Sequence, residues 1–200
     1  MLFNGVPLVV VDGTNRFDLY YITEFARRWG KGVTPPGVLE RIFISRAFTC
    51  YQMEAVVTER LGVFMRKVGA PVALIFGLLD TFYDDQAPLF EVRGCLERVV
   101  GALQELKQAN VSVLLASRDW HPASAGRSML FPRLASSMDR VYALRRDDQG
   151  LRITAQDPVQ LTGGSHGTHG PHVHDGPAAG NGKLEQVPAR AAQRRPGRSR

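Results

Sequence analysis

The chain has little of what would assign it to a class at once. Its 200 residues include two cysteines, Cys50 and Cys95, which lie inside apolar patterns far apart in the sequence. This favours reduced thiols over a disulfide framework or a metal site. No uninterrupted apolar run reaches about 18 residues, which predicts no transmembrane helix, and the N-terminus lacks the pattern of a signal peptide. We therefore expect a cytoplasmic protein with no membrane partner.

Basic residues outnumber acidic ones mainly in one part of the chain. The formal net charge is +6. Residues 1–160 contain 19 Lys or Arg and 17 Asp or Glu, whereas residues 161–200 contain 6 and 2. The first part is nearly balanced, so the high isoelectric point does not by itself indicate that this part binds nucleic acid.

Residues 161–200 also lack the apolar residues needed to bury a core. They are rich in Gly, His, Pro and Arg, which predicts a disordered tail after a domain at 1–160. Arginines of the tail can bind nucleic acid non-specifically through its phosphates. The tail histidines are spaced by flexible Gly and Pro, which favours a solvated linker over a preorganised metal site: His166, His169, His172 and His174.

Within 1–160, apolar runs of strand length alternate with helical patterns. The strand patterns cover residues 5–12, 41–46, 72–79 and 111–116, and the helical patterns cover 17–29, 53–68 and 89–106. This alternation predicts an α/β fold with a three-layer, mostly parallel sheet. Two further short strands around the turn at 147–150 predict a C-terminal β-hairpin.

Polar residues follow each of the four predicted strands. In a parallel sheet, ligands bind beyond the carboxyl ends of the strands, so we expect these residues to lie on one rim. They are Asp12 to Asn15, Ser45 and Arg46, Asp80 and Thr81, and Ser117 to Asp119.

These four segments, taken in order, resemble the ATPase core of the RecA/RadA recombinases, and the first two carry its motifs. In that family a strand ends in Asp, continues Thr-Glu-Gly-Thr-Phe-Arg and leads through a helix to a Gly. Asp12, Phe17 and Gly30 occupy the Asp, Phe and Gly positions in register. The family's Ala-Arg-Ala-(Phe/Tyr) segment, with a Gln at the start of the next helix, is matched by Arg46, Ala47, Phe48 and Gln52.

The resemblance covers about residues 5–160, and three of the family's chemical positions have changed. The Glu that positions the attacking water falls on Thr14, whose hydroxyl cannot take up a proton as a carboxylate can. The Asp that holds Mg²⁺ through water falls on Gly77, with Asp80 three residues later. Ser117 and Arg118 replace the polar pair that senses nucleotide.

The phosphate-binding loop of the family is missing from the sequence. Its pattern G-x-x-x-x-G-K-[ST] surrounds phosphates with backbone N–H groups and adds a Lys and a hydroxyl. Lys31 is followed by Gly32, and Lys183 by Leu184. The resemblance therefore implies a RecA-like P-loop NTPase fold without its first strand and helix. We expect no cofactor, with ATP and Mg²⁺ relevant only if an upstream segment supplies the loop.

The resemblance implies a remnant pocket rather than a complete active site. Its candidate residues are Asp12, Thr14, Asp80, Ser117 and Arg118, of which Asp80 and Asp12 are the candidates for a metal ion. Simpler interpretations stand beside this one. Asp12 can cap the turn that follows its strand, and the acidic residues Asp80, Asp84 and Asp85 can form a solvated loop.

Three functions remain open at this point. The resemblance implies a non-hydrolysing protein of DNA recombination or repair that binds DNA or a repair protein and forms homo-oligomers. The chain can also be a fragment of a longer, active RecA-like ATPase. The third alternative is a metal-dependent nuclease, because the segment from Val11 to Asn15 also resembles the start of PIN/NYN nucleases. Asp12, Asp80 and Asp119 would then hold Mg²⁺ or Mn²⁺.

Overall fold

The computed structural model describes residues 5–29, 34–118, 126–148, 150–158 and 161. The chain divides into two segments, Met1–Gly164 and Ser165–Arg200, and all of the second lies outside the described residues. The predicted disordered tail, apart from Leu161, lies there too.

The strands and helices follow one another closely along the described chain. The strands are β1 (Leu8–Asp12), β2 (Ile42–Arg46), β3 (Val72–Phe76), β4 (Ser112–Ala116), β5 (Val141–Asp147) and β6 (Gly150–Gln156). The helices are α1 (Leu19–Trp29), α2 (Pro35–Leu39), α3 (Cys50–Ala55), α4 (Gly62–Val68), α5 (Leu78–Phe82), α6 (Leu89–Gln108) and α7 (Leu130–Ala135). A π-helical segment, Val56–Leu61, joins α3 to α4.

The first four strands form one parallel sheet in the order β2-β1-β3-β4. Asp12 at the end of β1 lies beside Arg46 of β2 and Phe76 of β3, and Phe76 lies beside Ala116 of β4. All four strands therefore end together along one edge, which we call the carboxyl edge. This confirms the predicted α/β fold with a parallel sheet.

The core lies mainly on one face of this sheet. Val9 and Val11 of β1 belong to a large buried cluster with residues of α3, the π-helical segment, α4 and α6. Because side chains alternate along a strand, Val10 faces the other side, where it is also fully buried. On that face the ring of Phe17 packs against Phe76, with 5.4 Å between ring centroids.

The C-terminal hairpin is also confirmed. β5 and β6 are antiparallel, and their pairing extends from Val141 opposite Gln156 to Asp147 opposite Gly150. The pair forms its own two-stranded sheet, and within the described residues no strand joins it to β4. The four-stranded sheet has no internal gap, because β1, β3 and β4 pair directly.

One predicted boundary is wrong. The apolar run 72–79 was expected to be a single strand closed by Asp80, but β3 ends at Phe76. Gly77 adopts the left-handed conformation, with φ +61°, and the short helix α5 begins at Leu78. Glycine adopts this conformation at little cost. The turn lets α5 begin at Leu78, so that Leu78 and Leu79 are buried as helical residues. Asp80 therefore lies on α5.

Both cysteines are free and buried, as expected for reduced core thiols. Burial and the neighbouring carboxylate of Glu54 raise the pKa of Cys95 to about 12, so this thiol stays protonated at neutral pH. Among the described residues, no helix is long and apolar enough to cross a membrane.

Candidate functional site

Asp12 lies at the centre of the carboxyl edge and is completely buried. Its carboxylate accepts hydrogen bonds from the backbone N–H groups of Thr14 (3.0 Å), Arg16 (3.4 Å) and Phe17 (2.9 Å). It also accepts one from the Thr14 hydroxyl at 2.9 Å. Burial alone would raise the pKa of Asp12, but these bonds outweigh it and hold the pKa below the ordinary value. The carboxylate thus organises the turn after β1, as the simpler interpretation predicts.

The turns after β1 and β3 touch each other through their backbones. A Cβ on Gly13 would lie 2.6 Å from the carbonyl oxygen of Gly77. A Cβ on Gly77 would lie 2.1 Å from the Cγ2 methyl of Thr14 and 3.1 Å from Asp80 Oδ2. Real Cβ atoms do not approach other atoms this closely. The position that the family resemblance assigns to a metal-binding Asp therefore has no room for a side chain.

An ion pair links α5, which follows β3, to the residues that follow β4. Arg118 donates to Asp80 Oδ1 through Nη2 at 2.6 Å and through Nε at 3.2 Å. The hydroxyl of Ser117 donates to the carbonyl oxygen of Arg118 at 3.3 Å. Two of the predicted pocket residues, Asp80 on α5 and Arg118 after β4, therefore bind each other.

The other acidic residues near Asp80 have partners of their own. Asp84 accepts from the N–H of Gln86 at 3.0 Å, and Asp85 accepts from Nε of Arg127 at 3.1 Å. Across the described part of the chain, no group of three or more His, Cys, Asp or Glu side chains is placed to hold a metal ion. Asp119, the third carboxylate of the nuclease hypothesis, lies outside the described residues.

The segment that most resembles the recombinases starts α3. Thr49 is the N-cap residue, and its hydroxyl accepts from the N–H of Gln52 at 3.2 Å. The side-chain oxygen of Gln52 reaches back to the N–H of Phe48 at 2.8 Å. This reciprocal arrangement is close to a capping box, so local structure accounts for Gln52 of the motif.

An apolar groove beside β2 was missed by the sequence analysis. It has a volume of about 420 Å³ and lies between the β1–β2 side of the sheet and the helix packed on it. Most of its lining is apolar, with one hydroxyl and one cation: Val9, Val11, Ile42, Phe43, Ile44, Ser45, Val56, Arg60, Leu61 and Phe64.

The groove runs along an unpaired strand edge. β2 is the outermost strand of the sheet, and within the described residues it pairs only with β1. The carbonyl oxygen of Arg41 accepts from the N–H of Leu8 at 2.9 Å, and the N–H of Ala47 donates to the backbone carbonyl oxygen of Asp12 at 3.2 Å. Because backbone groups alternate in direction along a strand, the N–H and C=O groups of Ile42 and Ile44 point outward. They form an open ladder next to the groove.

The helical wall of the groove has an unusual geometry. Val56, Arg60 and Leu61 all belong to the π-helical segment. Single π-helical turns inside α-helices occur frequently at functional sites. The widened turn is invisible to a search for helical periodicity, so no sequence signal marked it.

Among the described residues, two arginines near β2 have no carboxylate partner. Within the described ranges, no ion pair involves Arg60, which lines the groove, or Arg46, which ends β2. Other cations do form ion pairs: Arg27, Arg98, Lys107, Arg118, Arg127, Arg133 and Arg152. The groove is therefore lined by apolar residues and one cation, Arg60, and Arg46 ends the strand beside it on the opposite face of the sheet.

Comparison with known proteins adds no relative to this picture. No protein-family model matches the chain, and no curated protein matches it. The recombinase resemblance therefore rests on the short segments described above.

Proposed function

We propose that this chain is a non-hydrolysing interaction domain of DNA recombination or repair, which binds an extended segment of a partner protein along β2. The family resemblance supports the process, and the groove supports the mode of binding. The observation that carries the proposal is an apolar groove directly beside an unpaired strand edge.

The carboxyl edge supports a role without hydrolysis. Phosphoryl transfer depends on positioned charges around the phosphates and the attacking water. Here the Thr14 hydroxyl donates to Asp12, Arg118 pairs with Asp80, and Gly77 has no space for a carboxylate. These residues bind one another and stabilise the turns.

An unpaired edge with an adjacent groove suits strand addition. An extended peptide can pair with the outward N–H and C=O groups of β2, while alternate side chains enter the groove. Main-chain pairing supplies much of the affinity, and the groove supplies the choice of side chains. Its apolar lining favours aliphatic or aromatic residues at those alternate positions.

The charges near β2 further restrict which partner segments can bind. Arg60 lines the groove from the π-helical segment, and Arg46 lies at the end of β2. A binding segment with an Asp or Glu next to its apolar residues would therefore be complementary. Such charge complementarity raises association rates and excludes partners of the wrong sign. The proposed partner segment is therefore extended, apolar at alternate positions and acidic.

Random peptides displayed on phage provide the test. Selection on the full chain should enrich peptides with alternating apolar residues and at least one acidic residue. For a selected peptide, Arg60→Glu should weaken binding roughly tenfold, as expected for an interface charge pair. Lys67→Glu is the matched control, since it makes the same charge change on α4 outside the groove, and it should leave the affinity unchanged.

Two outcomes would overturn the proposal. Selected peptides that share no alternating pattern would argue against strand addition. Equal loss of binding in Arg60→Glu and Lys67→Glu would show that net charge, rather than the groove, determines the affinity.

A further inference from the structure

Among the described residues, nothing covers the outer edge of the C-terminal hairpin, and it lacks the usual protection. Six of the seven residues of β6 are exposed, and within the described residues β6 pairs only with β5. Monomeric proteins commonly protect such edges with charges, prolines or bulges. The only charged residue of β6 is Arg152, which pairs with Asp147 of β5 at 2.8 Å.

The hairpin register fixes which backbone groups of β6 are free. Only residues 148 and 149 connect the strands, and Asp147 lies opposite Gly150, so this is a hydrogen-bonded pair. Hydrogen-bonded and non-hydrogen-bonded pairs alternate along an antiparallel ladder. Leu151, Ile153 and Ala155 therefore turn their N–H and C=O groups outward.

The same three residues place their side chains on one apolar face. They lie opposite Arg146, Leu144 and Tyr142 of β5. Leu144 is 62% exposed, Ile153 64% and Leu151 65%. A two-stranded hairpin with such a face is marginal alone and gains stability when more strands join it.

We propose that two copies of this chain pair through β6, antiparallel and centred on Ile153. A twofold axis then places Ile153 opposite Ile153 of the second copy, and Leu151 opposite Ala155. On the other face Arg152 lies opposite Thr154, and Gly150 lies opposite Gln156. No like charges face each other, so the strand is complementary to itself.

This pairing uses groups that the hairpin leaves free. Ile153, Leu151 and Ala155 can each exchange N–H···O=C bonds with their opposite residue, because all three point outward. The two hairpins become one four-stranded antiparallel sheet with a continuous apolar row across its centre. Cross-strand pairs of β-branched and aliphatic side chains are favourable in such positions.

Charges placed on the twofold axis test the pairing. The wild-type chain should form dimers in sedimentation velocity and light scattering as its concentration is raised. Ile153→Lys places two lysines directly opposite each other and should weaken dimerisation roughly tenfold or more. Leu144→Lys adds the same charge on the same face of the hairpin, but on β5, where the twofold axis places no second lysine opposite it. This variant should retain most of the dimer.

Mixing two variants of opposite charge distinguishes a loss of pairing at this register from a loss of folding. Chains carrying Ile153→Lys and Ile153→Glu should each be monomeric, and their mixture should form a heterodimer. In addition, Ile153→Cys should form an intermolecular disulfide on oxidation, because Cα atoms of a hydrogen-bonded pair lie about 5.5 Å apart. Thr154→Cys should not, because its opposite residue is Arg152.

Several results would overturn this inference. They are a wild-type chain that stays monomeric, a dimer that survives Ile153→Lys, equal disruption by Leu144→Lys, or a mixture that fails to associate. The proposal is independent of the groove beside β2, and Ile153→Lys should leave binding of peptides there unchanged.

Discussion

The methyl group of Thr14 occupies the space that a side chain at Gly77 would need. A Cβ built on Gly77 would lie 2.1 Å from Thr14 Cγ2, and Gly77 has a φ of +61°. Two separate constraints, the conformation and the contact, thus require glycine at the end of β3. The Thr14 methyl group thus occupies the space of a side chain at the position where the family resemblance expects a metal-binding carboxylate.

The first prediction separates these two constraints. Gly77→Ala should lower the free energy of unfolding by about 3 kcal/mol, because a left-handed backbone and an overpacked contact both become unfavourable. Gly69 also has a positive φ, +66°, but nothing lies within 4 Å of its Cβ position. Gly69→Ala should therefore cost only about 1 kcal/mol. Urea denaturation measures both values.

Thr14→Ser supplies the matched rescue. It removes the obstructing methyl group and keeps the hydroxyl that donates to Asp12. In the Gly77→Ala background it should recover part of the lost stability. Equal costs for Gly77→Ala and Gly69→Ala, with no recovery by Thr14→Ser, would show that the contact does not restrict this site.

The second prediction concerns Asp12. Asp12→Asn replaces a buried carboxylate that accepts four hydrogen bonds, and an amide has only one acceptor oxygen. The free energy of unfolding at neutral pH should fall by about 2–3 kcal/mol. Chemical denaturation of both proteins over a range of pH provides the measurement.

The pH dependence of this effect has a definite sign. The bonds hold the pKa of Asp12 below 3.8 in the folded protein. A depressed pKa adds stability that is complete above the ordinary pKa and is lost as the pH falls through the lower value. The difference between wild type and Asp12→Asn should thus be constant near neutrality and shrink below about pH 4. A difference that grows in acid would contradict the assignment.

The third prediction concerns Arg127, which is 4% exposed. Its guanidinium donates to the carbonyl oxygens of Phe82 (2.7 Å) and Ala87 (2.5 Å) and to Asp85. It thereby holds the loop between α5 and α6. Arg127→Met should lower the free energy of unfolding by about 3 kcal/mol, because one buried and one partly buried carbonyl oxygen lose their donor. It should also increase proteolysis near residues 83–88.

Arg133→Met is the control for this substitution. Arg133 forms an exposed ion pair with Glu97, and such pairs contribute about 1 kcal/mol or less. A similar cost for both variants would mean that burial of the Arg127 guanidinium contributes nothing beyond a surface pair.

Much of the fold could be predicted from the sequence because its strands are short, apolar and bounded by turn residues. The run ending at Asp12 and the turn before Gly150 carry strong local signals. The end of β3 could not be predicted, because Gly77 interrupts an apolar run that continues into α5. The turn at Gly77 also contacts the distant turn at Thr14, and no local pattern encodes that contact.

The candidate groove was harder to predict for a different reason. It exists because β2 is at the edge of the sheet and because the helix facing it contains a π-helical segment. Consecutive parallel strands can be ordered in several ways, so the sequence did not identify β2 as the edge. The arginines at this edge, Arg46 and Arg60, also have no signal that distinguishes them from ordinary surface cations.

The last prediction concerns the absence of enzymatic activity in the isolated chain. The isolated chain should not hydrolyse ATP measurably, because Thr14 donates to Asp12, Gly77 excludes a carboxylate and the sequence has no phosphate-binding loop. Each loss removes a charge or position on which phosphoryl transfer depends. A phosphate-release assay with Mg²⁺ measures this directly, and turnover in the purified chain would contradict the proposal.

The nuclease alternative requires a parallel measurement on labelled single-stranded DNA and RNA with Mg²⁺ or Mn²⁺. We expect no cleavage, because the Asp12 carboxylate is buried and accepts four hydrogen bonds, and Asp80 is paired with Arg118. Metal binding would require breaking these contacts at a cost in stability. Asp80→Asn serves as the second variant, because it releases Arg118 without unfolding the turn at Asp12. Metal-dependent cleavage that disappears in both Asp12→Asn and Asp80→Asn would establish the nuclease and reject the interaction domain.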